Sequence, residues 1–382
     1  VLPKFWEDSV YLKYWLFKSK VGVMSAITIN RDLIHYEKLG RGRPVILIHG
    51  WIGSWRYWIP LMQKLHTQFS VYTLDLIGFG DSSKTEEHYS IEFQVKMLEQ
   101  FMEQLGIPKA AVVGHGLGAM VVTEFTLRNP DKVARLLLVS IPLFDPGGLN
   151  ERIVPGTPKL LTPRDNRYSL APRIEDLIES GDPTLVNSGQ GADQTLVSGA
   201  GAGIYTPFHE LPTIGRPDSQ NIDRDALRRA AEVRDKAKKN NNHLANIFQN
   251  ANMMSLLGKC FKDSEQEYEK LKQDVAKSDD KALRKSVEGF EAGTMLDNLR
   301  RVTAPIVAVH GINDPIIPLP QDEVWEYLTR EKDDFFMPIP LSDVRHFPML
   351  EHDTFPRLMT DFLTVPKITD IEVRERWRRR SR

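Results

Sequence analysis

Ala111-Val112-Val113-Gly114-His115-Gly116-Leu117-Gly118-Ala119 joins an apolar run to the helix-like stretch Ala119 to Arg128 through a cluster of small residues. A short, continuous apolar run reads as a buried strand, so the chain passes here straight from strand to helix. So sharp a turn strains its central residue and brings neighbouring backbone close. The G-x-S-x-G pattern of a nucleophile elbow meets both demands with glycine on each flank. Gly114 and Gly118 fill the flanks, and the nucleophile position is Gly116. Glycine has no side chain with which to attack a carbonyl, an epoxide or a carbon–halogen bond, so covalent catalysis at this position is excluded.

Working outward, strand signals occur at Ala26 to Asn30, Leu33 to Leu39, Val45 to Ile48, Val71 to Leu74, Ala111 to Val113 and Leu136 to Val139. Helix-like stretches at Ile91 to Leu105 and Ala119 to Arg128 alternate with the later ones, which predicts an α/β fold with a mostly parallel twisted sheet flanked by helices. The pattern stops near Pro142. It resumes with strand-like Ile306 to Val309, helix-like Asp322 to Arg330, strand-like Phe335 to Ile339 and helix-like Pro356 to Leu363. The expected organisation is an N-terminal helical segment (1–25), a core (26–143 and 302–365), a helical cap inserted after strand six (144–301) and a basic tail (366–382). The first half of the insertion is rich in Gly, Pro, Ser and Asn. Its second half, Arg224 to Gln249 and Ser264 to Ala292, is charged and helical in pattern.

The motifs and their order resemble the α/β-hydrolase superfamily, in particular its cap-bearing esterase-like and epoxide-hydrolase-like members, over residues 33 to 145 and 300 to 365. His49-Gly50-Trp51 resembles the oxyanion-loop motif, and the resemblance implies backbone donors at Trp51 and Leu117. Asp75-Leu76-Ile77-Gly78-Phe79-Gly80-Asp81-Ser82 resembles a tight structural turn of the family. His310-Gly311-Ile312-Asn313-Asp314-Pro315 resembles the acid loop and points to Asp314. Arg345-His346-Phe347-Pro348-Met349-Leu350-Glu351 resembles the histidine loop and points to His346. The carboxylate would fix the imidazole tautomer and leave the second nitrogen as a base.

Gly116 leaves three readings open. In the first, an enzyme acts on a small ester-like or related carbonyl substrate through the His346 and Asp314 dyad and the backbone oxyanion hole. In the second, a catalytically silent binding or scaffold protein keeps the fold. In the third, a serine hydrolase carries glycine in place of its serine. Ser140, at the end of a strand, is a further candidate nucleophile, because ligands bind beyond the carboxyl ends of strands in open α/β sheets.

Other residues receive plainer readings. His115 and His310 read as buried structural histidines, and His352 is the rival to His346. Trp55, Tyr57 and Trp58 line a pocket or pack the core, and Tyr205, Phe208 and His209 are candidates to cover a substrate. The 50 basic and 51 acidic residues nearly cancel to −1. No strong field therefore draws nucleic acid, and a small-molecule partner is expected. The single cysteine, Cys260, excludes an internal disulfide framework and a thiolate metal cluster. No His-Glu-x-x-His spacing implies a metal, the glycines of 189–203 are not followed by the Lys-Ser or Lys-Thr of a phosphate loop, and no cofactor is expected. No apolar run reaches the roughly 20 residues that span a bilayer and no signal-peptide pattern opens the chain, so the expected location is cytoplasmic. Phe5 to Lys20 reads as an amphipathic helix packed on the body, with an interfacial membrane helix as the alternative. The basic tail from Arg374 reads as a solvated end, with contact to anionic lipid or a partner as its alternative. The sequence leaves the oligomeric state open.

Overall fold

The computed structural model describes residues 25–149, 152, 242–332 and 334–372. The expectations placed on Phe5 to Lys20, the glycines of 189–203, Tyr205, Phe208, His209, the charges of 224–239 and the tail beyond 372 lie outside them.

Eight strands form one sheet: β1 (Ala26–Ile29), β2 (Asp32–Leu39), β3 (Arg43–Ile48), β4 (Phe69–Leu74), β5 (Ala110–His115), β6 (Val133–Val139), β7 (Ile306–Gly311) and β8 (Phe336–Leu341). Their order is β1-β2-β4-β3-β5-β6-β7-β8. β2 runs antiparallel to both β1 and β4, and from β4 to β8 all pairing is parallel, as in Leu47 beside Val113, Val113 beside Leu137 and Val309 beside Ile339. β4, β5 and β7 are buried at every residue. Such continuous burial is what a parallel sheet covered on both faces demands of its strands.

The connecting helices are α1 (Ile59–Leu65), α2 (Ile91–Gln104) and α3 (Leu117–Arg128). α2 begins at Ser90, whose hydroxyl accepts from the Phe93 amide, and buries Val95, Leu98, Phe101 and Met102 on one stripe. α3 is apolar nearly all round because it sits against β5 and β6, beside α2, and beneath the insertion helix Ala292–Arg301. Most observed elements extend the expected ones by one to three residues. The added N-terminal residues include Arg43 and Pro44 in β3, Ser70 in β4 and Ala134 and Arg135 in β6, which interrupt or weaken the hydrophobic signal.

Between β6 and β7 the described part of the insertion contains α4 (His243–Phe248), α5 (Met253–Cys260), α6 (Gln266–Val275), α7 (Asp280–Lys285) and α8 (Ala292–Arg301). Asn252 and Ser255 cap α5 reciprocally, and Leu244, Phe248, Leu256, Leu257, Leu283 and Leu296 are buried. After β7 come α9 (Asp322–Thr329), α10 (Pro348–Glu351) and α11 (Phe355–Thr364). The loops leaving β3, β5, β7 and β8 at their carboxyl ends carry Trp51, Gly116, Asp314 and His346 respectively.

Candidate active site

The turn from β5 into α3 is built by exclusion of side chains. A Cβ on Gly114 would stand 2.4 Å from the Gly118 carbonyl oxygen, and one on Gly118 would stand 2.5 Å from that of Ile48. Both distances are shorter than any real contact, so the close approach of β3, β5 and α3 requires these two glycines. Gly116, between them, has φ 51° and ψ −109°, a conformation that residues with side chains rarely adopt.

Asp314 and His346 meet. Asp314 Oδ2 lies 2.8 Å from His346 Nδ1, and Oδ1 accepts the amides of Ile316 and Ile317 at 2.9 and 3.0 Å. Gly311 allows the two loops to touch, since its Cα side faces the Arg345 carbonyl with no room for a Cβ. Burial alone would raise the Asp314 carboxyl. The adjacent His346, His310 and the Ile317 amide outweigh it and hold the group well below the ordinary carboxylate range. An ionised acceptor fixes the His346 proton on Nδ1. Nε2 is then left as an acceptor, and it is buried with no hydrogen-bond partner among the described residues.

The Gly50–Trp51 peptide is aimed from behind. His49 Nδ1 donates to the Gly50 carbonyl at 2.7 Å, while its Nε2 accepts the Leu76 amide at 2.9 Å. Burial pushes the His49 imidazole down to about 4, so it stays in this neutral tautomer. In a trans peptide the N–H opposes the C=O, so holding the Gly50 carbonyl directs the Trp51 amide to the other side. Among the described residues, neither the Trp51 amide nor the Leu117 amide at the start of α3 is paired with an acceptor.

The indole of Trp51 fills the space above Gly116. Cε3 and Cζ3 lie 3.1 Å from where a Gly116 Cβ would stand. The ring is fully buried, edge-on to Phe248 of α4 at 5.0 Å between centroids, and its Nε1 donates to Ser286 Oγ at 3.0 Å. The sequence pointed to Trp51 for its amide alone. Ser286 also borders a cavity of about 180 Å³ between α3 and α8, lined by Met120, Thr123, Phe290 and Met295.

The remaining candidates separate clearly. His352 Nδ1 pairs with Thr354 Oγ1 at 2.8 Å and not with Asp314, so the rival histidine stands outside the dyad. His310 donates through Nε2 to the Ile317 carbonyl at 2.9 Å and braces the acid loop. Ser140 is buried at φ 47°, with Oγ 3.4 Å from the His346 carbonyl oxygen. His115 lies with its ring 4.6 Å from that of His346, centroid to centroid, and Tyr57 reaches both Gly50 and His115. Trp55 and Trp58 are buried in the core. Glu351, which closes the histidine-loop motif, accepts the amides of Arg345 and Phe347 at 3.1 and 2.8 Å and so clamps both neighbours of His346. Its spacing five residues beyond the histidine was the available signal.

Among the described residues His35, Asp75 and Asp81 come close enough to share a cation. Asp75 already accepts the amides of Trp55 and Asp81, and Asp81 pairs with Arg56 and Lys277, so these lone pairs are committed to the turn between β4 and α2. Cys260 is buried, which pushes its thiol up and leaves it unreactive. No helix among the described residues is long and apolar enough to cross a membrane.

The chain has the α/β-hydrolase fold. The sequence profile described as alpha/beta hydrolase fold matches residues 43–163. Over 113 residues the chain is 34% identical to a soluble epoxide hydrolase of Corynebacterium sp. (strain C12), covering 30% of this chain and 40% of that protein. Over 101 residues it is 37% identical to a (lyso)-N-acylphosphatidylethanolamine lipase of Bos taurus, covering 25% and 29% respectively. The match thus spans well under half of either relative. A bromoperoxidase from Bacillus anthracis shares the fold with a TM-score of 0.55 at 19% identity, over 90% of this chain and 100% of that one.

Proposed function

We propose that the chain is a hydrolase-type enzyme for a small ester-like or related carbonyl substrate, in which the His346 and Asp314 dyad activates water directly and no covalent intermediate forms at Gly116. The observation that carries this reading is the 2.8 Å contact between Asp314 Oδ2 and His346 Nδ1, which leaves Nε2 buried and unpartnered. A buried polar atom without a partner costs on the order of 1–3 kcal/mol, a cost more readily retained where the atom meets a ligand.

In the proposed reaction His346 Nε2 takes a proton from a water molecule as its oxygen attacks the carbonyl carbon. Asp314 stabilises the imidazolium so formed. The amides of Trp51 and Leu117 donate hydrogen bonds to the carbonyl oxygen as negative charge develops on it. The imidazolium then returns its proton to the departing alkoxide, giving acid and alcohol. Without a covalent nucleophile such a site retains an acceleration on the order of 10³–10⁴ over water, so activated esters are the fitting substrates. Both relatives named above are hydrolytic enzymes by name, an epoxide hydrolase and a (lyso)-N-acylphosphatidylethanolamine lipase, which supports a hydrolytic reading here.

A second reading, a catalytically silent binding protein, is favoured by the Trp51 indole seated over Gly116, which a substrate would have to displace. Hydrolysis of short p-nitrophenyl esters by the unmodified protein and by His346→Ala decides between them. Turnover that disappears with His346 supports the enzyme. Equal rates for the two proteins across the panel leave the binding reading.

A further inference from the structure

We propose that Tyr57 and His115 form a positioning unit that ties the Gly50–Trp51 turn to the His346 loop while touching no substrate. Three hydrogen bonds run in series. The Gly50 amide donates to Tyr57 Oη at 2.6 Å, Tyr57 Oη is 2.9 Å from His115 Nδ1, and His115 Nε2 is 2.8 Å from the His346 carbonyl oxygen.

The ends of this series fix its direction. A backbone amide can only donate and a backbone carbonyl can only accept. His115 must therefore carry its proton on Nε2, which leaves Nδ1 bare, and Tyr57 must donate to Nδ1 while accepting from Gly50. No other arrangement satisfies all the groups. Both side chains are buried, His115 completely. Burial pushes the His115 imidazole well below the ordinary histidine range and the Tyr57 phenol well above its own, so both stay neutral and the order of donors is kept across the physiological range. Among the described residues the only other side chain on the His346 carbonyl is Ser140, at a weaker 3.4 Å.

The two anchors belong to the two halves of the site. At one end His49 holds the Gly50 carbonyl, in the peptide that bears the Trp51 N–H, and Tyr57 holds the Gly50 amide, in the peptide before it, so the backbone is tied on both sides of the Gly50 Cα. At the other end the bond is to the residue whose imidazole faces Asp314. A shift of one half is thereby transmitted to the other through Tyr57, in the turn Trp55–Trp58, and His115, the last residue of the elbow strand β5. The catalytic part of this inference rests on the reading of His346 as a base, but its structural part does not.

Nitrogen-15 histidine NMR tests both parts, on the full chain and on Tyr57→Phe, His115→Leu and His115→Gln. We expect His115 as the Nε2–H tautomer, and a downfield resonance from the His346 proton shared with Asp314. Tyr57→Phe and His115→Leu should shift or broaden that resonance, although neither touches the His346 ring. His115→Gln, which keeps an N–H for the carbonyl, should return it toward the parent position. In ester hydrolysis the first two variants should lose roughly tenfold in kcat with little change in KM, as expected when a catalytic group is misplaced rather than removed. An Nδ1–H tautomer at His115 overturns the proposal, as does an unchanged His346 resonance in Tyr57→Phe, the nearly isosteric variant chosen to fold. If the parent protein shows no turnover dependent on His346, the proposed enzymatic function fails, while the resonance still decides whether the unit positions the loop.

Discussion

The Trp51 ring edge, atoms Cε3 and Cζ3, stands 3.1 Å from the point at which any Cβ on Gly116 would be placed. At this distance the neighbour must give way by a few tenths of an ångström. The ring is held by Phe248 on one side and by the Ser286 hydroxyl at Nε1, so it has little freedom to do so. Glycine at 116 and tryptophan at 51 are therefore one packing arrangement.

Gly116→Ala is expected to destabilise the protein by at least about 2 kcal/mol, combining a side chain at φ 51° with overpacking against the indole. Urea unfolding measures this. The loss should be smaller, by on the order of 0.5 kcal/mol or more, when alanine is introduced into a Trp51→Ala background, because only the backbone part remains. Equal losses in the two backgrounds would show that the ring does not oppose the side chain.

Stability should fall as pH drops from about 6.5 toward 4. Burial lowers His49 to about 4 and lowers His35, His115, His310 and His352 as well. A histidine with a depressed folded-state pKa is neutral in both states above its unfolded value. As pH falls below that value only the unfolded chain takes up the proton, and stability is lost until the folded value is reached. Asp75, raised by burial to about 6, and Asp274, also raised, act in the opposite sense over part of the same window. The histidines outnumber them. The slope of unfolding free energy should exceed about 1.4 kcal/mol per pH unit, the value for one net proton, near pH 5. A flat profile between pH 6.5 and 4.5 would contradict the buried neutral assignment of these rings.

The glycine turn after β5 and the two loops that bring Asp314 and His346 together were legible because each is encoded locally. Gly114 and Gly118 are spaced by the turn itself, Asp314 is held by amides two and three residues on, and His346 directly precedes the Phe-Pro that starts α10. The middle of the sheet was legible for the same reason, since Val45–Ile48, Leu136–Val139 and Ile306–Val309 are unbroken apolar runs. What the sequence did not disclose depends on contacts far apart along the chain. Trp51 was legible as an amide because the His-Gly motif places that amide, but its ring position is set by Ser286, 235 residues away, and by Phe248 on an insertion helix. Tyr57 looked equally suited to pocket or core, since nothing near it in sequence marks its bonds to Gly50 and His115.

Glu351→Ala should cost roughly 1–3 kcal/mol, because it strips the acceptor from two amides and from the Arg345 guanidinium. Those amides flank His346, so any ester hydrolysis that depends on His346 should fall mainly in kcat. Arg345 also pairs with Glu265 ahead of α6 at 2.8 Å, on a surface where such pairs contribute little. Glu265→Ala is therefore the matched control. If it reduces stability and kcat as much as Glu351→Ala does, the clamp on the loop is not the cause.

Serine at position 116 tests how much of the remaining machinery is intact. If the proposed site is right, its hydroxyl would meet the His346 Nε2 lone pair and the Trp51 and Leu117 amides, and such a nucleophile opens the acyl-enzyme route. The Trp51 ring opposes it, so Gly116→Ser alone should gain little over the parent in p-nitrophenyl ester hydrolysis. Trp51→Leu relieves the ring but keeps the backbone amide that the oxyanion would need. The double variant Gly116→Ser, Trp51→Leu is thus expected to exceed Gly116→Ser in kcat/KM by about tenfold or more, equivalent to about 1.4 kcal/mol of transition-state stabilisation, with a burst of acyl-enzyme formation. High activity in Gly116→Ser alone would mean that the indole yields easily, and would favour a serine hydrolase that has merely lost its serine. No activity in the double variant, with His346 and Asp314 still paired by NMR, would mean that the two amides are not aimed at a common oxyanion.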